Sequence, residues 1–180
     1  DVIFNGKYGD CPEILDVGPG SYVVSALSSE FSKPAFDAPQ FGDEQCVVVN
    51  NGSVVNVRLL CRQRNVGIRL DISSDFLTAC PGASLFLKSD AGKLMYSYSE
   101  KRTAYFSPGP VSLIMSSGSS DQVLMTRDMK ASEMLSLDVA VSDLLGGKEG
   151  GLSMVIDTSR IWVSDECVIG AGNTGYVSEE

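Results

Sequence analysis

Between Val55 and Ile72 the apolar positions of this chain change phase. Val55, Val57, Leu59 and Cys61 alternate with other residues, but after Arg62-Gln63-Arg64-Asn65 the apolar set becomes Val66, Ile68, Leu70 and Ile72. Alternate residues of a strand share one face, so the odd set points one way and the even set the other. One regular strand cannot do both without a bulge or a crossing between sheets. The pattern predicts a long strand over 54–72, kinked or bulged at Arg62 to Asn65, that links two packing units. Two strands joined by a short loop would place the boundary at the same point. The chain is therefore read as two halves, residues 1–60 and 61–180, the second ending in a loose tail.

Both halves carry the signals of an all-β fold. Gly18-Pro19-Gly20 is a tight turn that releases the strand Tyr22 to Leu27, and Ala35-Phe36-Asp37-Ala38-Pro39-Gln40-Phe41-Gly42 closes that unit before Cys46 to Val49. Asn50-Asn51-Gly52 then separates Val47-Val48-Val49 from Val54-Val55. Asn-Gly between apolar runs is a strong hairpin signal, because both residues tolerate positive φ. A second hairpin is expected from Leu85-Phe86-Leu87 through Asp90-Ala91-Gly92 to Leu94 to Tyr98. Further strands are predicted at Thr103–Phe106, Val111–Met115, Val123–Thr126, Leu135–Val141, Leu152–Ile156 and Arg160–Val163. Helix is scarce: Asp128 to Leu135 offers about two turns, which is marginal alone. Ser116 to Ser120 and the Gly-rich Leu145 to Gly151 read as exposed turns or flexible loops, and the stretch after Gly170 as loosely held.

Composition narrows the function. The 180 residues contain no histidine, which removes Ser–His and Cys–His nucleophile systems, histidine metal sites and the commonest general base. A net charge of −9 argues against nucleic acid as a partner, since phosphate binding needs clustered Lys and Arg. No run approaches the ~18 apolar residues of a transmembrane helix. The chain opens on Asp1 rather than Met, as expected of a mature or trimmed product whose targeting segment is missing.

Each motif has a plain structural alternative. Gly170-Ala171-Gly172-Asn173-Thr174-Gly175 matches the dinucleotide fingerprint, but too little chain follows to build the helix that would meet a pyrophosphate. No G-x-S-x-G elbow or S-x-x-K pair occurs. Asp43-Glu44 and Asp165-Glu166 read as solvated loops rather than paired catalytic carboxylates. Asp71, Asp75, Asp121, Asp128, Asp138 and Asp143 could supply oxygen to calcium, but without EF-hand spacing. Cys11, Cys46, Cys61, Cys80 and Cys167 form no C-x-x-C pair and read as buried thiols, with Cys46 and Cys61 the first pair to test for a bridge. Arg58, Arg62, Arg64 and Arg69 read as polar strand faces balanced by the surplus carboxylates. No catalytic, cofactor-binding or metal-ligating residue is assigned, and no cofactor is expected. Tyr96, Tyr98 and Trp162 are the candidate ligand-stacking residues; period two would put the two tyrosines on one strand face, although core packing is the commoner use of such rings.

The ordered series Gly18-Pro19-Gly20-Ser21-Tyr22, Pro34-Ala35-Phe36-Asp37-Ala38-Pro39, Phe41-Gly42, Val57 to Ile68 and Ala104-Tyr105-Phe106 resembles the uncharacterised family DUF4493 of Bacteroidetes surface lipoproteins. Its middle segment is also similar to a strand of fimbrillin-like pilus proteins. The resemblance spans about residues 14–115, with a looser likeness near Ile156 to Ile169. It implies transthyretin-like β-sandwiches in an exported cell-surface or outer-membrane protein. It further implies cell adhesion or a pilus-associated accessory role, with a protein or glycan partner and with membrane contact only through a lipid anchor that this chain does not contain. A carbohydrate-binding lipoprotein of a glycan-uptake system is the alternative. No catalytic residue comes with the resemblance.

Overall fold

A computed structural model of the protein describes residues 1–118, 120–142, 153–157, 161–162 and 167–169. The fold is all-β and sandwich-like. Its strands in chain order are β1 (Gly20–Leu27), β2 (Ala35–Phe36), β3 (Phe41–Val49), β4 (Leu59–Gln63), β5 (Val66–Ile72), β6 (Ser84–Ser89) and β7 (Gly92–Tyr96). After these come β8 (Ala104–Phe106), β9 (Gly109–Ser117), β10 (Ser120–Met129), β11 (Met134–Ser142), β12 (Ser153–Asp157), β13 (Ile161–Trp162) and β14 (Cys167–Ile169). One short helix, α1 (Ser74–Ala79), follows β5.

The chain forms two compact units and passes between them more than once. The first comprises Asp1–Ser29, Phe41–Arg62 and Asp165–Glu180; the second comprises Glu30–Gln40 and Gln63–Ser164. The expected division at 60/61 lies beside one of these crossings, whereas those at 29/30, 40/41 and 164/165 have no counterpart in it.

In the first unit one sheet runs β1-β3-β4-β14. β1 and β3 pair antiparallel in unbroken register from Gly20↔Val49 to Leu27↔Gly42. The Gly18 to Gly20 turn is closed by Tyr22, whose hydroxyl donates to the Gly18 carbonyl at 2.7 Å. Asn50 to Ser53 makes the expected turn, with Gly52 at φ +70° and the Ser53 N–H on the Asn50 carbonyl at 3.1 Å. The chain then runs without strand pairing until Leu59, so the long strand predicted from residue 54 is corrected. Val54 stands in solvent and gains nothing from pairing there.

The second unit is a two-layer sandwich. One sheet runs β10-β9-β6-β7, and the other β12-β11-β5-β8-β2 with β13 also on β11. β5 and β11 are parallel, from Gly67↔Met134 to Ile72↔Val139. Ile68, Leu70, Phe106, Leu137 and Val139 from one sheet meet Leu85, Leu87, Val111 and Leu113 from the other in a single buried core. Such side chains each contribute ~2 kcal/mol on leaving water, and this core holds the two layers together.

The phase change has a physical cause. β4 buries Leu59, Cys61 and Gln63, while β5 buries Val66, Ile68, Leu70 and Ile72 in a different sheet. Two separate strands therefore replace the single kinked one, with Arg64 and Asn65 as the link. Asn65 is buried there, and both ends of its side-chain amide and its backbone carbonyl are bonded. Its Nδ2 donates to the Ala38 carbonyl at 2.8 Å, its Oδ1 accepts from the Gln40 N–H at 3.1 Å, and its carbonyl accepts from Gln63 Nε2 at 2.9 Å and from the Ser132 N–H at 3.2 Å. A buried amide bonded in this way fixes where one strand stops and the next begins.

The one helix expected from the sequence is overturned. Residues 128–135 are not helical: β10 runs to Met129, and Lys130 to Glu133 form a turn in which Ser132 has φ +69°. The Glu133 N–H bonds the Lys130 carbonyl at 3.0 Å, and the Glu133 carboxylate accepts from the Lys130 N–H at 2.9 Å. Burial of Met129 in one sheet and Leu135 in the other outweighs a marginal two-turn helix. The observed helix, α1, begins instead where Ser73 Oγ accepts the Phe76 N–H at 3.3 Å and Phe76 enters the core. Ser116 and Ser117 belong to β9 and Ser120 to β10, and Gly118 is a turn residue. The expectations for 145–151, for the fingerprint at 170–175 and for the tail beyond it lie outside the described residues.

Candidate interaction edge and tyrosine-lined groove

The tyrosine pair lies in the second unit, at a groove of about 230 Å³ between α1 and the β6–β7 hairpin. Phe76, Leu77, Met95, Tyr96 and Tyr98 are among the residues that line it, with Ser84 and Ser97 adding hydroxyls. Tyr96 ends β7 and is only 2% exposed. Its ring meets Phe36 edge-on, with centroids 5.5 Å apart, and its hydroxyl donates to the Arg102 carbonyl. Burial pushes its phenol up to about 12. A ring held in this way has no open face for a ligand, which corrects the expectation for Tyr96. Tyr98 lies in the turn beyond β7 and is 45% exposed, so it offers the accessible ring of the pair. Trp162 is in β13, its backbone opposite Met134, in a different sheet from β7. The three candidates therefore do not line up along one strand face.

The segment from Tyr98 to Arg102 is pinned rather than poised for chemistry. Arg102 forks onto Glu100, Nε to Oε1 at 2.9 Å and Nη2 to Oε2 at 2.7 Å, while its guanidinium sits 4.7 Å from the Phe36 ring centre. That guanidinium holds the Glu100 carboxyl down to about 2. Lys101 Nζ reaches Asp71 Oδ1 at 2.8 Å. Asp71 is thus engaged by a cation, and among the described residues no cluster of three or more acidic or thiol side chains is placed to hold a metal ion. Asp143 lies outside the described residues. Of the arginines, Arg58 and Arg62 fall in the first unit and Arg64 and Arg69 in the second. Cys46 is exposed and unbridged and Cys61 is buried, so the bridge between them is not formed and the buried-thiol reading does not hold for Cys46.

A second feature was not singled out from the sequence: the open side of β1. Among the described residues β1 has β3 on one side and no strand on the other. The Ser28 N–H bonds the Phe41 carbonyl at 2.8 Å, which fixes the hydrogen-bonding parity of the ladder. In an antiparallel pair, bonded and non-bonded partners alternate. Gly20, Tyr22, Val24 and Ala26 therefore turn their backbone groups to β3, and Ser21, Val23, Ser25 and Leu27 turn theirs to the open edge. On the outer face beside this edge Val23, Leu27 and Val48 are 63%, 58% and 62% exposed, and Glu44 of β3 stands on the same face opposite Ser25.

Three other edge strands, β10, β2 and β7, carry the usual protections. β10 has a bulge between Val123 and Met125 and bears Asp121, Arg127 and Asp128; β2 has two residues; β7 is five residues long and bears Lys93. Charge, bulges and brevity all discourage a further strand from adding. β1 has eight residues, Gly-Ser-Tyr-Val-Val-Ser-Ala-Leu, with no charge, proline or bulge. The legible signal was that uncharged run, but which strand lies at an edge is a property of topology.

Among the described residues no helix is long and apolar enough to cross a membrane. No protein-family model, curated protein or solved structure matches the chain.

Proposed function

We propose that this protein is a non-enzymatic adhesion or pilus-associated accessory protein of a Bacteroidetes-type cell surface, exported and held at the outer membrane. The observation that carries the reading is the open edge of β1. An uncharged eight-residue strand with four residues presenting free-edge backbone groups is suited to β-augmentation, in which main-chain hydrogen bonds supply affinity and flanking side chains supply selectivity. The resemblance of the turn and strand series at residues 14–115 to surface lipoproteins supports the location. The missing histidine supports a role without acid–base chemistry at neutral pH.

The test is to label intact cells that encode the protein with antibodies against it, and to measure adhesion after deleting the gene. Surface labelling with reduced adhesion is expected; protein confined to the cytosolic fraction would sink the reading. A glycan-binding role has one observation in its favour, the exposed Tyr98 ring beside the groove. A glycan array would separate the two, since saturable sugar binding lost in Tyr98→Ala favours the second.

A further inference from the structure

We infer that the occupant of the β1 edge is the β1 edge of a second copy, so that two four-stranded sheets join antiparallel across a two-fold axis. This rests on the reading of β1 as an interaction edge and names its partner. Symmetry restricts the register. A two-fold axis perpendicular to the sheet keeps outer-face residues on the outer face, so odd positions must oppose odd positions. The outward backbone groups belong to Ser21, Val23, Ser25 and Leu27, as the Ser28–Phe41 bond fixes. Centring the axis on Val24 places Ser21 opposite the partner's Leu27 and Val23 opposite the partner's Ser25, and the reciprocal pairs follow. Each of these pairs exchanges two N–H···O bonds. Centring it on Val23 would push Leu27 out to face Pro19, which has no N–H to give. The Val24 register therefore uses every outward residue of the strand.

Three observations favour a second copy over an unrelated chain. The edge is self-complementary in length and parity, as an isologous contact requires. It carries no charge, so a chain of net charge −9 meets no like-charged side chain directly across the new ladder. Val23 and Leu27 stand exposed on β1 itself, and the pairing sets each beside an uncharged serine of the partner's β1.

The experiment is sedimentation of the whole chain over a wide dilution series, with amide hydrogen exchange read at both ends of it. A dimer of the 19.2 kDa chain is expected, dissociating on dilution. The Ser21, Val23, Ser25 and Leu27 amides should be protected only in the dimer, and those of Tyr22, Val24 and Ala26 in both states. Ser25→Pro removes an outward N–H that β3 does not use, so it should yield a folded monomer. Should Ser25→Pro fail to fold, the exchange parity in the unaltered protein decides alone. A cysteine at the axis, Val24→Cys in a Cys46→Ser background, should close an intermolecular disulfide under air, with molecular oxygen as the oxidant that takes up the two protons and two electrons. A chain that stays monomeric throughout the series, a dimer that survives Ser25→Pro, or exchange without the odd–even pattern would overturn the inference. A monomer that still labels intact cells would leave the surface reading standing, whereas a β1 dimer confined to the cytosol would remove that reading and keep this one.

Discussion

Replacing Asn65 by alanine tests the account of how the chain leaves one sheet and enters the next. The substitution removes the bond from Nδ2 to the Ala38 carbonyl and the bond from the Gln40 N–H to Oδ1. Two partly buried backbone groups are left to find new partners, at about 1–3 kcal/mol each before relaxation. The 38–40 segment can move towards water, so a net loss of about 2–4 kcal/mol is expected, or roughly 10 °C in the melting of a unit this size. Urea unfolding followed by far-UV circular dichroism measures it. Asn65→Asp sharpens the test, because it keeps the acceptor for Gln40 and turns the donor to Ala38 into a second oxygen. Burial would raise that carboxyl above its unfolded value, so its folded form binds the proton more tightly. The deficit of Asn65→Asp relative to the parent should therefore grow as pH rises through the carboxylate range and shrink on acidification, where the protonated acid can donate to Ala38. An alanine variant within about 0.5 kcal/mol of the parent would refute the linchpin role, as surface substitutions behave that way. An Asn65→Asp deficit independent of pH would refute the buried donor–acceptor assignment.

Other consequences follow from the same contacts. The Tyr96 phenol titrates near 10.0 when unfolded and about 12 when folded, so stability should hold up to pH 10 and fall by about 3 kcal/mol towards pH 12. Alkaline unfolding curves of Tyr96→Phe should lose that limb, and an unchanged limb would assign it elsewhere. Glu100 behaves in the opposite sense: held at about 2 against 4.5, it contributes fully above pH 4.5 and progressively less as pH falls towards 2. Glu100→Gln should flatten that part of the acid titration, and a parallel curve would discount the Arg102 fork. A methyl group at Gly67 would run into Met134 Sδ and Cε and lie 3.0 Å from Thr103 Cγ2. Because Met134 Sδ also accepts from Gln63 Nε2 at 3.3 Å, the Met134 side chain cannot simply swing away without loss. Gly67→Ala should cost about 1–3 kcal/mol by chemical denaturation, and a neutral result would show that Met134 repacks freely.

Much of the fold could be read from local pattern. The strands from Tyr22, Val111, Val123 and Leu135 were legible because apolar and β-branched runs bounded by turn residues marked them. The phase change at Arg62 to Asn65 was legible because a side-chain period of two leaves no slack: a one-residue slip reverses every side chain. The Asp128 to Leu135 helix was misread because Met129, Ala131, Met134 and Leu135 also suit a turn between sheets. Only the distant partners of Met129 and Leu135 decide between the two. Residues 54–58 failed in the same way, since Val54 and Val55 have strand propensity but pair with no strand among the described residues.

The candidate sites divide along the same line. Tyr96 looked like a ligand platform because its spacing from Tyr98 is strand-like, yet β7 ends at Tyr96 and only Tyr98 leaves the core. No local signal marks that end; it follows from the bond between the Tyr96 hydroxyl and the Arg102 carbonyl six residues on. The β1 edge is the converse case. Its lack of charge is visible in the sequence, but an uncharged strand in the middle of a sheet is ordinary and only at an edge does it become exposed backbone. Selection against aggregation acts on edges, as the bulge in β10 illustrates. A long edge left uncharged and without a bulge therefore points to an occupant.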